Sequence, residues 1–381
     1  MELPNLKDSF FEAFSLIEDP RSANSAHSIE TVLFCLLIGV ICGADGFVRA
    51  EQIADLKKDF IRRYVPLGKK VPTHDTMARL LARIDPDQFV ASFARFMRRL
   101  TGYSERDILN FDGQTLRGVT GTAAQHRSRS KAAKDQEHIV TAFSTMRCIV
   151  LAQIKTLAGV NEVSAAQELL TILDVKGAII TADAMHACAK TFEMIKERGA
   201  DYLVTLKQNT PLLCDAAELA FRQNEPIVVE TKERRGKVTE KRRYEIVPSG
   251  DLSGVGNGTV GAFIRVTREN VSHSGRPRKT DEPTMYVASL SPGDVDAIVD
   301  SIRKRWEIEN KLHWVLDVTF RQDRSRIRVM NAAQNFTRVR HIVFNALSLA
   351  RDPKRKSFDA KRTRASMDEK FLARALRLRA A

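Results

Sequence analysis

The apolar positions of this chain change period twice. From residue 1 to about 100 they recur at helical spacing. The stretch 30–42 is apolar enough for a buried central helix, which Gly43-Ala-Asp-Gly would end. Thr73 stands where it can cap a helix through Met77, Leu80 and Leu81, and Asp85-Pro closes that helix. Phe89, Phe93 and Phe96 make the next stripe, expected to pack in a core.

From about residue 105 the runs become short and rich in β-branched residues. Residues 108–111, 138–143 and 148–154 read as strands. The polar, basic stretch 118–134 between the first two reads as a mobile loop. A helix over 163–173, a buried strand over 178–181, a helix over 187–198, a strand over 202–206 and a helix over 211–222 follow. Three strands and then strand–helix alternation predict an α/β fold, a mixed sheet with helices on its faces.

The pattern changes again over 225–290. Strands at 227–230, 243–247, 261–266 and 285–289 are joined by linkers rich in Gly, Ser and charge, which predicts a β-rich insertion. After Ser291-Pro-Gly the helical period returns, over 295–318 as one helix and over 331–350 as another. The expected parts are a helical N-terminal domain (1–100), an α/β core in two pieces (101–224 and 291–350), the insertion (225–290) and a basic tail (351–381).

Charge narrows the partners. The 381 residues carry 61 Lys and Arg against 47 Asp and Glu, a net charge of +14. Such an excess favours nucleic acid over other partners. The last 31 residues hold 11 basic and 4 acidic side chains, a net of +7, or half of the excess. A membrane partner fits poorly. The longest uncharged run, 32–44, has 13 residues, where a span needs about 20. Five scattered cysteines without a Cys-x-x-Cys pair argue against a disulfide framework and for a reducing compartment. With no signal-peptide pattern at the N-terminus, a cytoplasmic, nucleoid-associated location is expected.

Three carboxylates carry the candidate chemistry. Asp112 ends an apolar run and precedes Gly113, so it stands either at a ligand-accessible strand end or in an Asp-Gly turn. Asp183 follows the next buried run and either lines a site at the carboxyl ends of strands or caps a helix. Glu309 shares a spacing of four with Arg305, His313 and Asp317, which reads as one charged helical stripe or a solvated ion-pair face. Both tryptophans, Trp306 and Trp314, fall in the same segment and make full solvation of it less expected. Oxygen donors drawn from distant segments suit magnesium or manganese.

Several longer motifs carry a resemblance. Asp112-Gly-Gln-Thr-Leu-Arg-Gly, Thr181-Ala-Asp-Ala-Met-His, Tyr202-Leu-Val-Thr-Leu-Lys-Gln-Asn and Trp306-Glu-Ile-Glu-Asn-Lys-Leu-His-Trp resemble the DDE transposases of bacterial insertion sequences. The similar group is the ISAs-type family, which includes the H-repeat-associated proteins. Asp19-Pro-Arg, Cys42-Gly-Ala and Pro72-Thr-His-Asp-Thr resemble the helical domain that accompanies it.

The resemblance implies an RNase H-like catalytic core with Asp112, Asp183 and Glu309 as catalytic metal ligands, holding Mg2+ or Mn2+, two ions in all. It implies cleavage of double-stranded DNA at an element's terminal inverted repeats and joining to target DNA, by a homodimer assembled on DNA. Arg117, Lys207, Arg305 and His313 are the expected phosphate contacts, and Asp317 is a reserve for Glu309. Four positions depart from the family pattern. Ile302 stands for a Tyr, Leu316 for a Lys, Gln114 for a Lys and Gln322 for a Glu. The rival expectations are an RNase H-like nuclease without strand transfer and an inactive DNA-binding relic.

Overall fold

The computed structural model describes residues 11–21, 24–101, 107–115, 137–157, 162–235, 238–250, 258–272, 277–329, 331–354 and 356–378. Five helices lead: α1 (Ile29–Ile41), α2 (Phe47–Leu56), α3 (Lys58–Arg62), α4 (His74–Arg83) and α5 (Pro86–Thr101). Then come β1 (Ile108–Thr115), β2 (Glu137–Ser144), β3 (Ile149–Leu157), α6 (Glu162–Ile172), β4 (Ile179–Ala182), α7 (Ala189–Glu197), β5 (Asp201–Leu206) and α8 (Pro211–Gln223). The strands β6 (Ile227–Arg235), β7 (Val238–Pro248), β8 (Ala262–Ser272), β9 (Pro277–Thr280) and β10 (Thr284–Ala288) follow. The chain closes with α9 (Val295–Lys304), a π-helix (Ile308–His313), α10 (Trp314–Val318), α11 (Ala332–Leu349), α12 (Phe358–Met367) and α13 (Glu369–Ala375).

The contacts divide the chain into two units. The first comprises 1–103, 113–173 and 308–381, and the second 104–112 and 174–307. The division passes through β1, whose first five residues belong to the second unit and last three to the first.

In the second unit β1, β4 and β5 run parallel, Ile108 opposite Ile179 and Ile180 opposite Tyr202. Such strands are buried on both faces, which is why 179–182 is an unbroken buried run. The order continues antiparallel through β10, β8, β7 and β6, with β9 pairing β8. Ile298, Val299 and Ile302 of α9 pack with Tyr244, Ile246, Ile264 and Tyr286 in the core of this unit. The insertion strands run longer than their apolar centres predict. Cross-strand pairs such as Lys241–Glu269 (3.8 Å) lie past them, where the ladder continues.

In the first unit β2 and β3 form an antiparallel hairpin, and β2 neighbours the end of β1. Ser28 caps α1 by accepting the Thr31 amide, and Gly43 ends that region at a φ of 117°. Thr73 caps α4 as its position predicts. Phe89, Phe93 and Phe96 are fully buried.

Helix α11 is the spine of the first unit, with 16 of its 18 residues buried. Several are polar, and hydrogen bonds make three of them tolerable there. Asn345 accepts the Val150 amide and donates to the Val150 carbonyl, both at 2.8 Å. Asn335 donates to the carbonyls of Leu81 and Ile84. Arg338 donates to Asn335 at 2.6 Å. Buried polar groups persist where they are paired in this way.

The final residues are helices packed into this unit. Phe358 stacks on Phe344 with ring centroids 4.6 Å apart, and Phe371 and Leu372 are fully buried. Arg362 is buried and donates to the carbonyls of Thr319 (2.6 Å), Val40 (2.9 Å) and Ala44 (3.1 Å). The stretch 351–378 therefore does structural work alongside its charge. The five cysteines are free, as the scattered pattern predicts. Among the described residues no helix is long and apolar enough to cross a membrane.

Candidate active site

The pairing of β1 with β4 sets the geometry. Asn110 lies opposite Thr181, so two residues further along each chain come Asp112 and Asp183. Side chains two apart on a strand share a face. Both aspartates therefore follow a buried, hydrogen-bonded pair. The Thr181 hydroxyl donates to the Asn110 carboxamide oxygen at 2.8 Å, and both residues are 1% exposed.

Asp112 departs from its expected setting. β1 continues through Gly113 to Thr115, so Asp112 lies within a strand and not at a strand end or Asp-Gly turn. Gly113 is required for a different reason. A Cβ there would sit 2.1 Å from His138 Nε2 and 3.0 Å from a Glu162 carboxylate oxygen. His138 is buried, Glu162 is half-buried, and the two are 2.8 Å apart.

Asp183 is not a cap. It precedes a three-residue 3-10 turn, Ala184–His186, but its side chain makes no capping hydrogen bond. Its carboxylate instead receives Arg305 Nη1 at 2.6 Å. The Asp183 side chain is half exposed, and that of Arg305 is 10% exposed. Arg305 also lies 4.7 Å over the Trp306 ring. Asn110 Nδ2 donates to the carbonyls of Lys304 and Arg305, both at 2.8 Å, and so fixes the end of α9 beside the aspartate strands.

The segment with Glu309 differs from the predicted single helix. α9 stops at Lys304, the backbone becomes π-helical over Ile308–His313, and α10 resumes the α pattern. The i→i+5 bonding of a π-turn inserts residues into the turn and rotates everything after it. The four-residue spacing of Glu309, His313 and Asp317 therefore does not lie along one face. Glu309 is exposed at the start of the π-helix. Trp306 and Trp314 are 41% and 59% exposed, so the tryptophans mark the solvated side of this segment and do not bury it.

The remaining expected contacts are placed as follows. Lys207 is exposed just past β5. Arg117 and the loop 118–134 lie outside the described residues. His313 is pushed down to about 4 by burial, with His138 adding to the effect. It is neutral at pH 7, which argues against a charged phosphate contact there. Three of the four departures from the family pattern are buried, and Gln114 is half-buried. Ile302 is 3% exposed in the core and Leu316 is fully buried. Gln322 donates to the Gln114 carboxamide oxygen at 3.3 Å, and Gln114 donates to Asp317 at 3.2 Å.

Asn110, Thr181, His138 and Glu162 escaped the sequence reading. A signal existed for the first two: each is polar inside an otherwise apolar strand, two residues before an aspartate.

Comparison with known proteins decides the family. Residues 11–97 match the model described as DDE_Tnp_1-associated, and residues 103–346 match the one described as Transposase DDE domain. The chain belongs to the DDE transposase family. This transposase-family chain is 33% identical over 391 residues to "Putative protein YbfL" of Escherichia coli (strain K12), covering 99% of this chain and 98% of that one. It is 33% identical over 393 residues to "H repeat-associated putative transposase YhhI" of the same organism, again covering 99% and 98%. A solved piggyBac transposase synaptic complex with hairpin DNA aligns at a TM-score of 0.48 and 12% identity, covering 98% of this chain and 81% of that one, a likeness too remote to add to the family assignment. The mixed α/β core of this transposase is RNase H-like, with a helical N-terminal part and an inserted β-rich segment.

Among the described residues no group of three or more His, Cys, Asp or Glu forms a ready metal cage. The donor chemistry of the second unit nevertheless fits a hard cation. Asp112 and Asp183 offer oxygen donors from adjacent strands, and Asp183 already holds a cation, the Arg305 guanidinium.

Proposed function

We propose that this DDE transposase cleaves the ends of an insertion sequence and joins them to target DNA, in a cut-and-paste reaction that depends on Mg2+ or Mn2+. The residues assigned to the reaction are Asp112, Asp183 and Glu309. One observation carries the reading: two aspartates reached by the same register step on parallel strands, one of them already neutralised by a basic side chain. A structural aspartate pair would need no second carboxylate beside the first, since like charges close together destabilise each other.

Two divalent ions, when bound, lower the pKa of an attacking water and stabilise charge on the entering and leaving oxygens. The chain's own residues supply the rest. Asp112 offers anionic oxygens from within β1 and Asp183 from just past β4. Lys207 and Arg117 hold DNA phosphates and set the register of the duplex without reading its sequence. The partners are the terminal inverted repeats and target DNA, met by a homodimer assembled on them in the cytoplasm.

Asp183→Asn tests this. The amide is nearly isosteric but is a neutral, weaker ligand for a hard cation. Nicking of supercoiled DNA with magnesium or manganese should be abolished, while gel-shift affinity for DNA is retained because Lys and Arg contacts supply it. Equal nicking by both proteins would refute the assignment. Joining of a pre-cleaved end by the wild type distinguishes strand transfer from hydrolysis alone.

A further inference from the structure

The Arg305–Asp183 pair has an organisation that a casual surface ion pair lacks. Exposed pairs are held by their own side chains and contribute little. Here the arginine backbone is fixed separately from its head group. Asn110 donates to the carbonyls of Lys304 and Arg305, and Thr181 donates to Asn110, so the end of α9 is tied to β1 and β4 through buried bonds. The guanidinium itself meets the Asp183 carboxylate at 2.6 Å and the Trp306 ring at 4.7 Å. The backbone is thus anchored independently of the head group, which hydrogen-bonds to a half-exposed carboxylate. Asp183 remains half exposed, so its carboxylate stays open to solvent beside the arginine.

We propose that Arg305 is a resident counter-cation for Asp183, seated by Asn110, that gives way when a divalent cation binds and then takes a DNA phosphate. The proposal rests on the reading of Asp183 as a metal ligand. Its chemistry is one of exchange. A divalent ion on Asp183 repels a guanidinium 2.6 Å from that carboxylate. The displaced head group keeps a planar fork of donors that fits phosphate as well as carboxylate. Cation binding and DNA binding are then coupled through one side chain. Linkage makes the coupling reciprocal: the factor by which cation strengthens DNA binding equals the factor by which DNA strengthens cation binding.

The test uses the full chain freed of metal. In calorimetric titration with Mn2+, Arg305→Gln should bind roughly three- to tenfold more tightly than the wild type, because a competing positive charge has gone. Arg305→Lys, which keeps the charge, should stay near the wild type. Asn110→Ala should move in the same direction as Arg305→Gln, since it loosens the seat while leaving both charges in place. It also keeps the proposal open to refutation if Arg305→Gln fails to fold. A second measurement follows a fluorescent 30-base-pair duplex by anisotropy, in EDTA and in Ca2+. The cation should strengthen wild-type binding more than it strengthens binding by Arg305→Gln. Unchanged or weaker Mn2+ binding by Arg305→Gln and Asn110→Ala, with Asp183→Asn losing Mn2+, would overturn the exchange and leave the metal assignment standing. Mn2+ binding by Asp183→Asn equal to the wild type would overturn the metal assignment itself.

Discussion

Acid should destabilise the first unit's core through two histidines that the fold holds neutral. His341 is buried within α11 and pushed down to about 3, first by burial and then by the charges of His313, Arg338 and Arg340. His313 is pushed down to about 4, by burial and by His138. Both are neutral in the folded protein and titrate near 6.5 once unfolded. Below that pH the unfolded chain takes up protons that the folded chain refuses. Stability is therefore full above about 6.5 and falls as the pH drops towards 4. Each pH unit costs about 1.4 kcal/mol per histidine, so moving from pH 7 to 5 removes up to about 2 kcal/mol for each and about 4 kcal/mol for both. That is a large part of a typical total of about 5–15 kcal/mol.

The assay is urea unfolding at half-unit steps from pH 7 to 5, a window above the range where most carboxylates titrate. His341→Leu keeps an apolar side chain of similar size and cannot take a proton. Its loss between pH 7 and 5 should be about half that of the wild type, whatever its stability at pH 7. A variant that still loses the full wild-type amount would show that the drop comes from other groups and that the burial argument fails.

Two further outcomes follow from packing in the first unit. Gly113→Ala places a Cβ 2.1 Å from His138 Nε2, a ring already held beside Glu162, so it should cost about 1–3 kcal/mol and lower Tm by several degrees; an unchanged melting curve would mean that the His138–Glu162 pair yields freely. Arg362→Met removes the donor to three carbonyls and should cost about 2–4 kcal/mol in urea unfolding, with wild-type stability as the refuting result.

What the sequence showed and what it hid follow one physical division. Elements with a burial period were legible. The run 178–181, the Phe stripe from Phe89 and the cap at Thr73 all sit within a residue or two of their expected places. Asp183 follows such a run, just past β4, whereas Asp112 lies inside β1, which runs on three residues beyond it. The segment after Lys304 departs from a plain helix without a sign in the sequence, because a π-turn leaves composition untouched and changes only the hydrogen-bond ladder. Its spacing of four looked like one face and is not. The strands β6 to β8 run longer than their apolar centres suggest, and cross-strand ion pairs such as Lys241–Glu269 lie in the added length. Asn110 was passed over because a polar residue in a strand gains meaning only when its partners are known, and these lie 71 and 195 residues away.

The same division corrects the argument from net charge. A total of +14 suggests a broad electrostatic footprint for DNA. Yet Arg242, Arg338, Arg340, Lys361 and Arg362 are all buried. Lys361 donates to the Leu347 carbonyl and Arg362 to three others, so two of the cations counted in the final 31 residues face inward. Burial also pushes Arg362 down to about 10 and Arg340 to about 9. Only cations that reach phosphates release counterions, and only those set the salt dependence of binding. Removing residues 351–381 would thus take Arg362, Phe371 and Leu372 out of the first unit's core along with exposed charge. Weaker DNA binding by such a truncation would report on folding as much as on electrostatics, and single exposed side chains such as Lys207 are the sounder probes of the DNA surface.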